Sequence, residues 1–176
     1  ECLPQGGTDL PDADGPGGVG IDSDCDGVDG DKAAAIFVSK TGDDGSPGTF
    51  DLPKRTLAAA IDAATQSGLS HVYVATGAYV ESVRLMAGVK LFGGYSADFR
   101  IRDSVAYETA LIGVAATVER PATVSAVSVG TTPNNAVGLD GFVIFGNQSS
   151  TAGSSSYAVR LRDCGGYTAI NNNEIY

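Results

Sequence analysis

The 176-residue chain has a globular composition and a strongly acidic charge balance. Apolar residues make up 43% and charged residues 18%, which excludes an intrinsically disordered chain. The 11 basic and 21 acidic residues give a formal net charge of −10, and no basic stripe suited to nucleic acid is present. No apolar run of about 18 residues occurs, so the sequence predicts no membrane span.

The excess negative charge lies at the N-terminus. Residues 1–31 hold nine acidic and no basic residues, whereas residues 32–176 are nearly neutral. The N-terminal stretch is also rich in Gly and Pro and poor in large apolar side chains, so it cannot bury a core by itself. The predicted boundaries are 1–32 for an Asp/Gly-rich segment and 33–176 for the body, with a cap at 33–70 and repeated turns at 71–176.

Alternating aspartates end the acidic segment. Residues 22–31 read DSDCDGVDGD, and a shorter DADG stretch occupies residues 12–15. Carboxylates at alternate positions, followed by a Gly that permits a tight turn, suit a hard cation such as Ca²⁺. The alternative is a solvated acidic linker. The candidate ligands are the side chains of Asp12, Asp14, Asp22, Asp24, Asp26, Asp29 and Asp31 and the backbone carbonyl of Val28.

Two of the three cysteines lie in the acidic segment. Cys2 and Cys25 are either joined by a disulfide or remain free thiols. A disulfide would indicate an oxidising compartment, and we expect a secreted or cell-surface protein. Cys164 is then either a small buried residue or the partner of a thiol outside this chain.

The body begins with a strand and a helix. Residues 36–40 alternate as a strand, and after a polar loop residues 54–67 form the only convincing helix. Leu57 and Ile61 lie on one face of this helix, and Gly68 follows its end.

Short runs with alternating apolar residues recur after the helix, and no second helix interrupts them. They occupy residues 71–75, 82–85, 89–92, 110–112, 123–129, 139–145, 157–161 and 168–175. Many short strands without helices predict an all-β body, either a sandwich, a barrel or a solenoid.

Four stretches of the body carry a family resemblance. They read IFVSKTGDDGSPGTFDLPKRTLAAAIDAA, HVYVATGAYVESVRLMAGVKLFGGYSADFRIRD, LDGFVIFGNQ and YAVRLRDCGGYTAINNNEIY. In this order they resemble the start of a right-handed parallel β-helix of the pectin-lyase-like superfamily. The resemblance implies an all-β coil whose N-terminal end is capped by a strand and an Ala-rich α-helix. It covers about residues 36–176.

The acidic segment carries a second resemblance. Residues 9–31 resemble the Asp-rich calcium-binding repeats of the thrombospondin type 3 kind, and especially the segments that precede domains of bacterial surface proteins. This resemblance implies Ca²⁺ as the bound cation and a bacterial, extracellular setting.

The expected β-helix places several Gly and Asn residues at the corners where one strand of a turn gives way to the next. Gly93, Gly94, Gly141 and Gly146 would lie where the chain needs unusual backbone angles. The run 171–173, all Asn, suits a corner where amides bridge successive turns.

Catalytic residues were sought on the pattern that the β-helix resemblance implies. The NTD, DD, GHG and RIK motifs of polygalacturonases are missing from turn positions. The candidates for a lyase-type site are Asp140, Asp163, Arg160 and Arg162, although paired arginines of this kind more often belong to a solvated strand face. His71 has no partner motif. Five tyrosines are candidates either for stacking on sugars or for packing at corners. They are Tyr73, Tyr79, Tyr95, Tyr107 and Tyr157.

We therefore expect a non-catalytic, calcium-stabilised β-helix with a structural, adhesive or filament-forming role. Its predicted partners are other copies of itself, bound through the open end of the coil, and a polysaccharide. One alternative is the N-terminal part of a polysaccharide lyase or glycoside hydrolase with its active site on later turns. Another is a carbohydrate-binding module.

Overall fold

The chain forms a β-solenoid of about four turns. The computed structural model describes residues 9–11, 20–115, 121–146 and 155–176, which contain twelve β-strands and one α-helix, α1 (Leu57–Ser67). The strands are β1 (Ala35–Val38), β2 (His71–Ala75), β3 (Gly77–Val80), β4 (Val83–Arg84), β5 (Lys90–Tyr95), β6 (Thr109–Ile112), β7 (Ala122–Val127), β8 (Val137–Asp140), β9 (Val143–Phe145), β10 (Tyr157–Arg162), β11 (Thr168–Asn171) and β12 (Glu174–Ile175). Short 3-10 turns occupy Lys32–Ala34 and Pro133–Asn135.

The strands make three sheets, one for each side of the coil. Sheet A has the order β1-β2-β5-β8-β11, sheet B the order β3-β6-β9-β12, and sheet C the order β4-β7-β10. All strand pairs in these sheets are parallel. The predicted all-β parallel β-helix with one capping helix is confirmed. Within the described residues, no helix has the length and apolarity needed to cross a membrane.

Side chains of successive turns stack inside the coil. In sheet A, Val72 lies in register with Leu91, and Leu91 with Leu139. All three are fully buried. Fully burying an aliphatic side chain of this size stabilises a fold by about 1.5–3 kcal/mol, so each added turn strengthens the one before it.

Glycines at the corner between sheets A and B serve two different needs. Gly94 and Gly141 adopt φ values of 86° and 77°, which L side chains rarely allow. Gly93 has an ordinary φ, but a side chain there would come within 2.6 Å of the Gly141 carbonyl oxygen. The backbone of the next turn therefore excludes any larger residue at that position. Gly146, the fourth predicted corner glycine, also has an ordinary φ.

The asparagine corner joins the last two turns. Asn172 takes a left-handed conformation with φ 50°. The Asn173 amide nitrogen donates to the Leu139 carbonyl at 2.8 Å, and its oxygen accepts from the Phe142 N–H at 2.9 Å. One side chain thus bonds two backbone groups of the preceding turn.

The helix begins three residues later than predicted because Lys54 pairs with β1. The Lys54 N–H donates to the Phe37 carbonyl, and the Ser39 N–H donates to the Lys54 carbonyl, both at 2.9 Å. These bonds cover part of the outer edge of β1, which would otherwise be open to another strand. Thr56 then serves as the N-cap of α1.

The first turn of α1 finds additional acceptors outside the helix. The Glu81 carboxylate accepts from the N–H groups of Leu57 at 3.0 Å and Ala58 at 3.1 Å. A carboxylate at the N-terminus of a helix also interacts favourably with the helix dipole. The apolar face of α1 packs on β1, β2 and β4, and its buried residues are Leu57, Ala60, Ile61 and Ala64.

A second apolar cluster lies on the outer face of sheet A. Its buried members are Val28, Ala35, Phe37, Tyr73, Ala75, Tyr95 and Phe99. The Phe37 ring meets Tyr73 and Phe99 edge-to-face, with centroids 5.5 and 5.0 Å apart. Val28 belongs to the acidic segment, so that segment covers this face of the solenoid.

The capping role of α1 gives the first prediction. Leu57→Asp places a carboxylate at a position with 0% exposure, and we expect it to release α1 and expose the apolar end of the coil. Leu57→Ala should destabilise the fold by about 2–5 kcal/mol. Urea unfolding and light scattering measure the two effects.

Gln66→Glu, on the exposed face of α1, provides a control that adds the same charge. It should cost at most about 1 kcal/mol, because Gln66 is exposed and a carboxylate in the last turn opposes only the helix dipole. A monomeric Leu57→Asp variant as stable as the parent would contradict the capping role.

Candidate metal centre

Aspartate side chains organise the loop that ends the acidic segment. Asp22 accepts from the N–H groups of Asp26 at 3.1 Å and Gly27 at 3.0 Å. Asp24 also accepts from the Asp26 N–H, at 3.0 Å. Short carboxylates that bond the backbone a few residues ahead form such tight turns, and Gly27 supplies the φ of 96° that the turn requires.

A more distant aspartate completes a cluster with this loop. Asp9 is 4% exposed, and one of its carboxylate oxygens accepts from the Gly30 N–H at 2.9 Å. Asp9, Asp22 and Asp24 each offer an oxygen, and these oxygens lie within 4.8 Å of one another. The three carboxylates are thus close enough to hold one metal ion. Carboxylate ligands suit hard cations.

The electrostatics of the cluster favour a cation. Burial raises the pKa of the Asp9 carboxyl, and the nearby charges of Asp24 and Asp22 raise it further, against the lowering effect of the Gly30 hydrogen bond. Burial likewise raises the pKa of Asp26, with Asp24 adding to the rise. Carboxylates that repel one another hold protons more tightly, and a bound cation reverses this effect.

The structure brings together two of the predicted ligands, Asp22 and Asp24. Asp26 instead uses both oxygens within the loop, accepting from the N–H groups of Val28 at 3.0 Å and Lys32 at 2.8 Å. Asp31 caps the 3-10 turn by accepting from the Ala33 N–H. These contacts organise the loop around the cluster.

The remaining predicted residues of the segment have other surroundings. The Asp29 side chain is 1% exposed and lies against Gly20, where any side chain would collide with its carboxylate. Val28 is fully buried in the aromatic cluster. Asp12 and Asp14 lie outside the described residues.

The cysteines divide into one bonded and one free residue in the described chain. Cys25 is disulfide-bonded, and Cys164 has a free thiol. Cys2, the predicted partner of Cys25, lies outside the described residues, so this pairing stays a prediction.

Asp9 was not predicted as a ligand. It stands apart from both alternating runs, and its nearest acidic neighbour in sequence is three residues away. The one available signal was its place in a segment with nine acidic residues and no base. Only the fold brings Asp9 beside Gly30, 21 residues further along the chain.

Two tyrosines fasten the acidic segment to the solenoid. The Tyr95 hydroxyl donates to the Asp29 carbonyl at 2.6 Å, and the Tyr73 hydroxyl donates to the Asp31 carbonyl at 3.4 Å. Both rings are fully buried, and burial raises the pKa of each hydroxyl. The hydroxyls are therefore protonated donors at neutral pH.

A buried arginine supplies a third fastening. The Arg102 guanidinium donates to the carbonyls of Pro11 and Gly93, each at 3.0 Å, and forms an ion pair with Asp140. It also lies over the rings of Phe92 and Tyr95. The Gly20 N–H donates to the Arg102 carbonyl at 2.9 Å. Arg102 thus contacts both described ends of the gap between residues 11 and 20.

The residues considered for catalysis lie on different sheets. Asp140 ends β8 in sheet A and pairs with Arg102. Arg160 and Arg162 belong to β10 in sheet C, and Asp163 forms an exposed ion pair with Arg162. The structure does not gather these four residues at one place.

Three of the five tyrosines considered for sugar stacking are unavailable to a ligand. Tyr73, Tyr79 and Tyr95 have no exposed surface, and the Tyr79 hydroxyl donates to the Ala75 carbonyl. Tyr107 is partly exposed, and Tyr157 is 37% exposed.

Comparisons with known proteins identified no relative of this chain. No protein-family model, curated protein or solved structure matches the chain.

The single histidine gives a prediction for pH dependence. His71 is 8% exposed and its Nδ1 lies 3.2 Å from the Tyr73 hydroxyl. Burial lowers the pKa of His71 to about 4, and the positive charge of Lys90 adds to this, while Asp31 opposes it. In the unfolded chain the pKa of this histidine is about 6.5, so below that pH the unfolded state binds a proton that the folded state does not. The free energy of unfolding should therefore fall as the pH drops from about 6.5 to about 4, by up to about 3 kcal/mol.

Because the chain has one histidine, NMR titration of the imidazole measures this pKa directly. The same titration in urea should give a value near 6.5. In urea unfolding, His71→Gln should remove the part of the pH dependence that lies between those two values. A folded-state pKa above 6 would contradict the buried, neutral imidazole.

Proposed function

We propose that this chain is a secreted or cell-surface β-helix module with a structural or adhesive role, and that Ca²⁺ stabilises it. The observation that carries the proposal is the carboxylate cluster of Asp9, Asp22 and Asp24. It lies in a segment fastened across the outer face of the solenoid rather than in a separate tail.

Calcium suits this cluster better than the other common cations. Zn²⁺ prefers nitrogen and sulfur ligands, whereas the cluster offers carboxylate oxygens. Mg²⁺ demands a small, regular octahedral site, while Ca²⁺ accepts six to eight oxygens in flexible geometries. The other predicted ligands, Asp12, Asp14 and the Val28 carbonyl, are candidates for the rest of the coordination shell.

The cation would stabilise the fold by closing the acidic segment on itself. Asp9 is separated in sequence from Asp22 and Asp24, and it already contacts the loop through Gly30. An ion shared by these carboxylates removes their mutual repulsion and fixes two stretches relative to each other. Metal binding of this kind appears as added folding free energy.

The disulfide at Cys25 supports an extracellular setting. Disulfides persist in oxidising compartments, which are also the compartments where weak calcium sites of extracellular modules bind their ion.

Calcium titration tests the proposal. We expect a dissociation constant in the millimolar range or tighter by calorimetry. At about 100 times that constant, linkage gives about 2.7 kcal/mol of added stability, or a Tm rise of about 5–10 °C. Asp24→Asn is the mildest probe, because Asp24 is exposed and accepts one backbone hydrogen bond in the loop. It should weaken calcium binding at least about tenfold.

Asp62→Asn removes an equal charge from the exposed face of α1 and serves as the matched control. Its calcium affinity should equal that of the parent. The proposal fails if the parent binds no calcium at millimolar concentration, or if both variants lose affinity equally.

Self-association through the open end of the coil is a second part of the proposal. In the described chain β10, β11 and β12 each pair along one edge only, and Leu161 at this end is 43% exposed. Unpaired strand edges readily accept further strands. We propose that another copy of the chain binds at this end.

Sedimentation velocity over a wide range of protein concentrations measures this association. Leu161→Lys should abolish it, because a charged side chain at the end of the core opposes stacking. Leu52→Lys, at a side chain that is 55% exposed elsewhere, should leave it unchanged. A parent chain that stays monomeric at all the protein concentrations measured would contradict this part of the proposal.

A further inference from the structure

A groove crosses the outer face of sheet A beside the acidic segment. It has a volume of about 260 Å³ and spans strands β2, β5, β8 and β11. The residues that give it its chemistry are Leu10, Pro11, His71, Lys90, Phe92 and Asp140.

Small residues give the groove a flat floor. Lys90 lies in register with Gly138, and Gly138 with Ala169, so the two strands after β5 carry no large side chain in this row. A side chain at Gly138 would come within 3.2 Å of the Lys90 Cγ atom. The aliphatic stem of Lys90 therefore lies flat across β8.

The ammonium group of Lys90 has no partner to neutralise it. Among the described residues it forms no ion pair within 4.0 Å and no hydrogen bond. The carboxylate that lines the groove, Asp140, is itself neutralised, because it pairs with Arg102 and accepts from the Asn172 amide at 3.0 Å.

The wall opposite the floor is apolar. Leu10 is 50% exposed, and Pro11 and Phe92 continue the wall on either side. Its position is fixed, because Arg102 holds the Pro11 carbonyl. His71 adds an aromatic edge, and its Nδ1 is engaged by the Tyr73 hydroxyl. The groove thus offers one unneutralised cation beside apolar and aromatic surfaces.

We propose that this groove binds a small organic anion, a carboxylate carried on a flat apolar body, with the Lys90 ammonium as its ionic partner. The apolar body would lie between Leu10 and Phe92, against the aliphatic stem of Lys90 where it crosses Gly138 and over Ala169. An inorganic anion would leave the apolar wall without a partner, and a neutral molecule would leave the ammonium without one.

Benzoate is a suitable probe, and its neutral isostere benzamide is the matched ligand. Binding is measured by ligand-observed NMR and calorimetry on the full chain, with calcium present throughout. A ligand of about nine non-hydrogen atoms should bind in the millimolar range. Benzamide should bind at least about tenfold more weakly, because hydrogen bonds to charged groups are stronger than those between neutral groups.

Lys90→Met keeps the apolar stem and removes the charge, and it should also weaken benzoate binding at least about tenfold. Lys40→Met removes a charge outside the groove and should bind benzoate like the parent. Equal affinity for benzoate and benzamide, full benzoate affinity in Lys90→Met, or no saturable benzoate binding would each overturn the proposal. The benzamide comparison needs no variant, so it stands even if Lys90→Met does not fold.

This inference does not depend on the proposed calcium site. Calcium binding without benzoate binding removes the groove proposal alone. Benzoate binding to a chain that binds no calcium removes the metal proposal alone.

Discussion

A buried guanidinium connects the acidic segment to two turns of the solenoid. Arg102 is 4% exposed, and burying its charge is costly unless every donor finds an acceptor. The acceptors come from Pro11 in the segment, Gly93 in the second turn and Asp140 in the third. The same contacts that satisfy the buried guanidinium therefore hold the described part of the segment against the coil.

The outer face of sheet A explains why a segment too polar to form a core is nonetheless packed. Phe37, Tyr73 and Tyr95 face away from the interior of the coil and need a cover. The segment contributes Val28 to the apolar cluster, and its backbone carbonyls at Asp29 and Asp31 accept from the tyrosine hydroxyls. Tyrosines suit such a cover, because their rings bury apolar area while their hydroxyls satisfy backbone carbonyls. The acidic side chains are then free to organise the loop and the carboxylate cluster.

The sequence predicted the fold class and most strand positions, because alternation and turn residues are local signals. It merged β8 with β9, and β11 with β12, since a corner of one or two residues, such as Gly141 or Asn172, does not interrupt the alternation. It also left β3 out of the predicted strand runs, which include residues 71–75 and 82–85. The sequence left open whether Tyr95 stacks on a sugar or packs within the protein, because its acceptor, the Asp29 carbonyl, is 66 residues away. Asp9 joins its cluster by the same kind of long-range contact, which no local pattern encodes.

The carboxylate cluster and the groove share a structural element, residues 9–11. Asp9 contributes an oxygen to the cluster, while Leu10 and Pro11 form the apolar wall of the groove. The Gly30 N–H holds the Asp9 carboxylate, and the Arg102 guanidinium holds the Pro11 carbonyl. A ligand at either site would favour the conformation of residues 9–11 that these two hydrogen bonds already stabilise. Two ligands that stabilise one conformation raise each other's affinity by the same factor. Cation binding and anion binding on this face would therefore be reciprocal, although their chemistries are opposite.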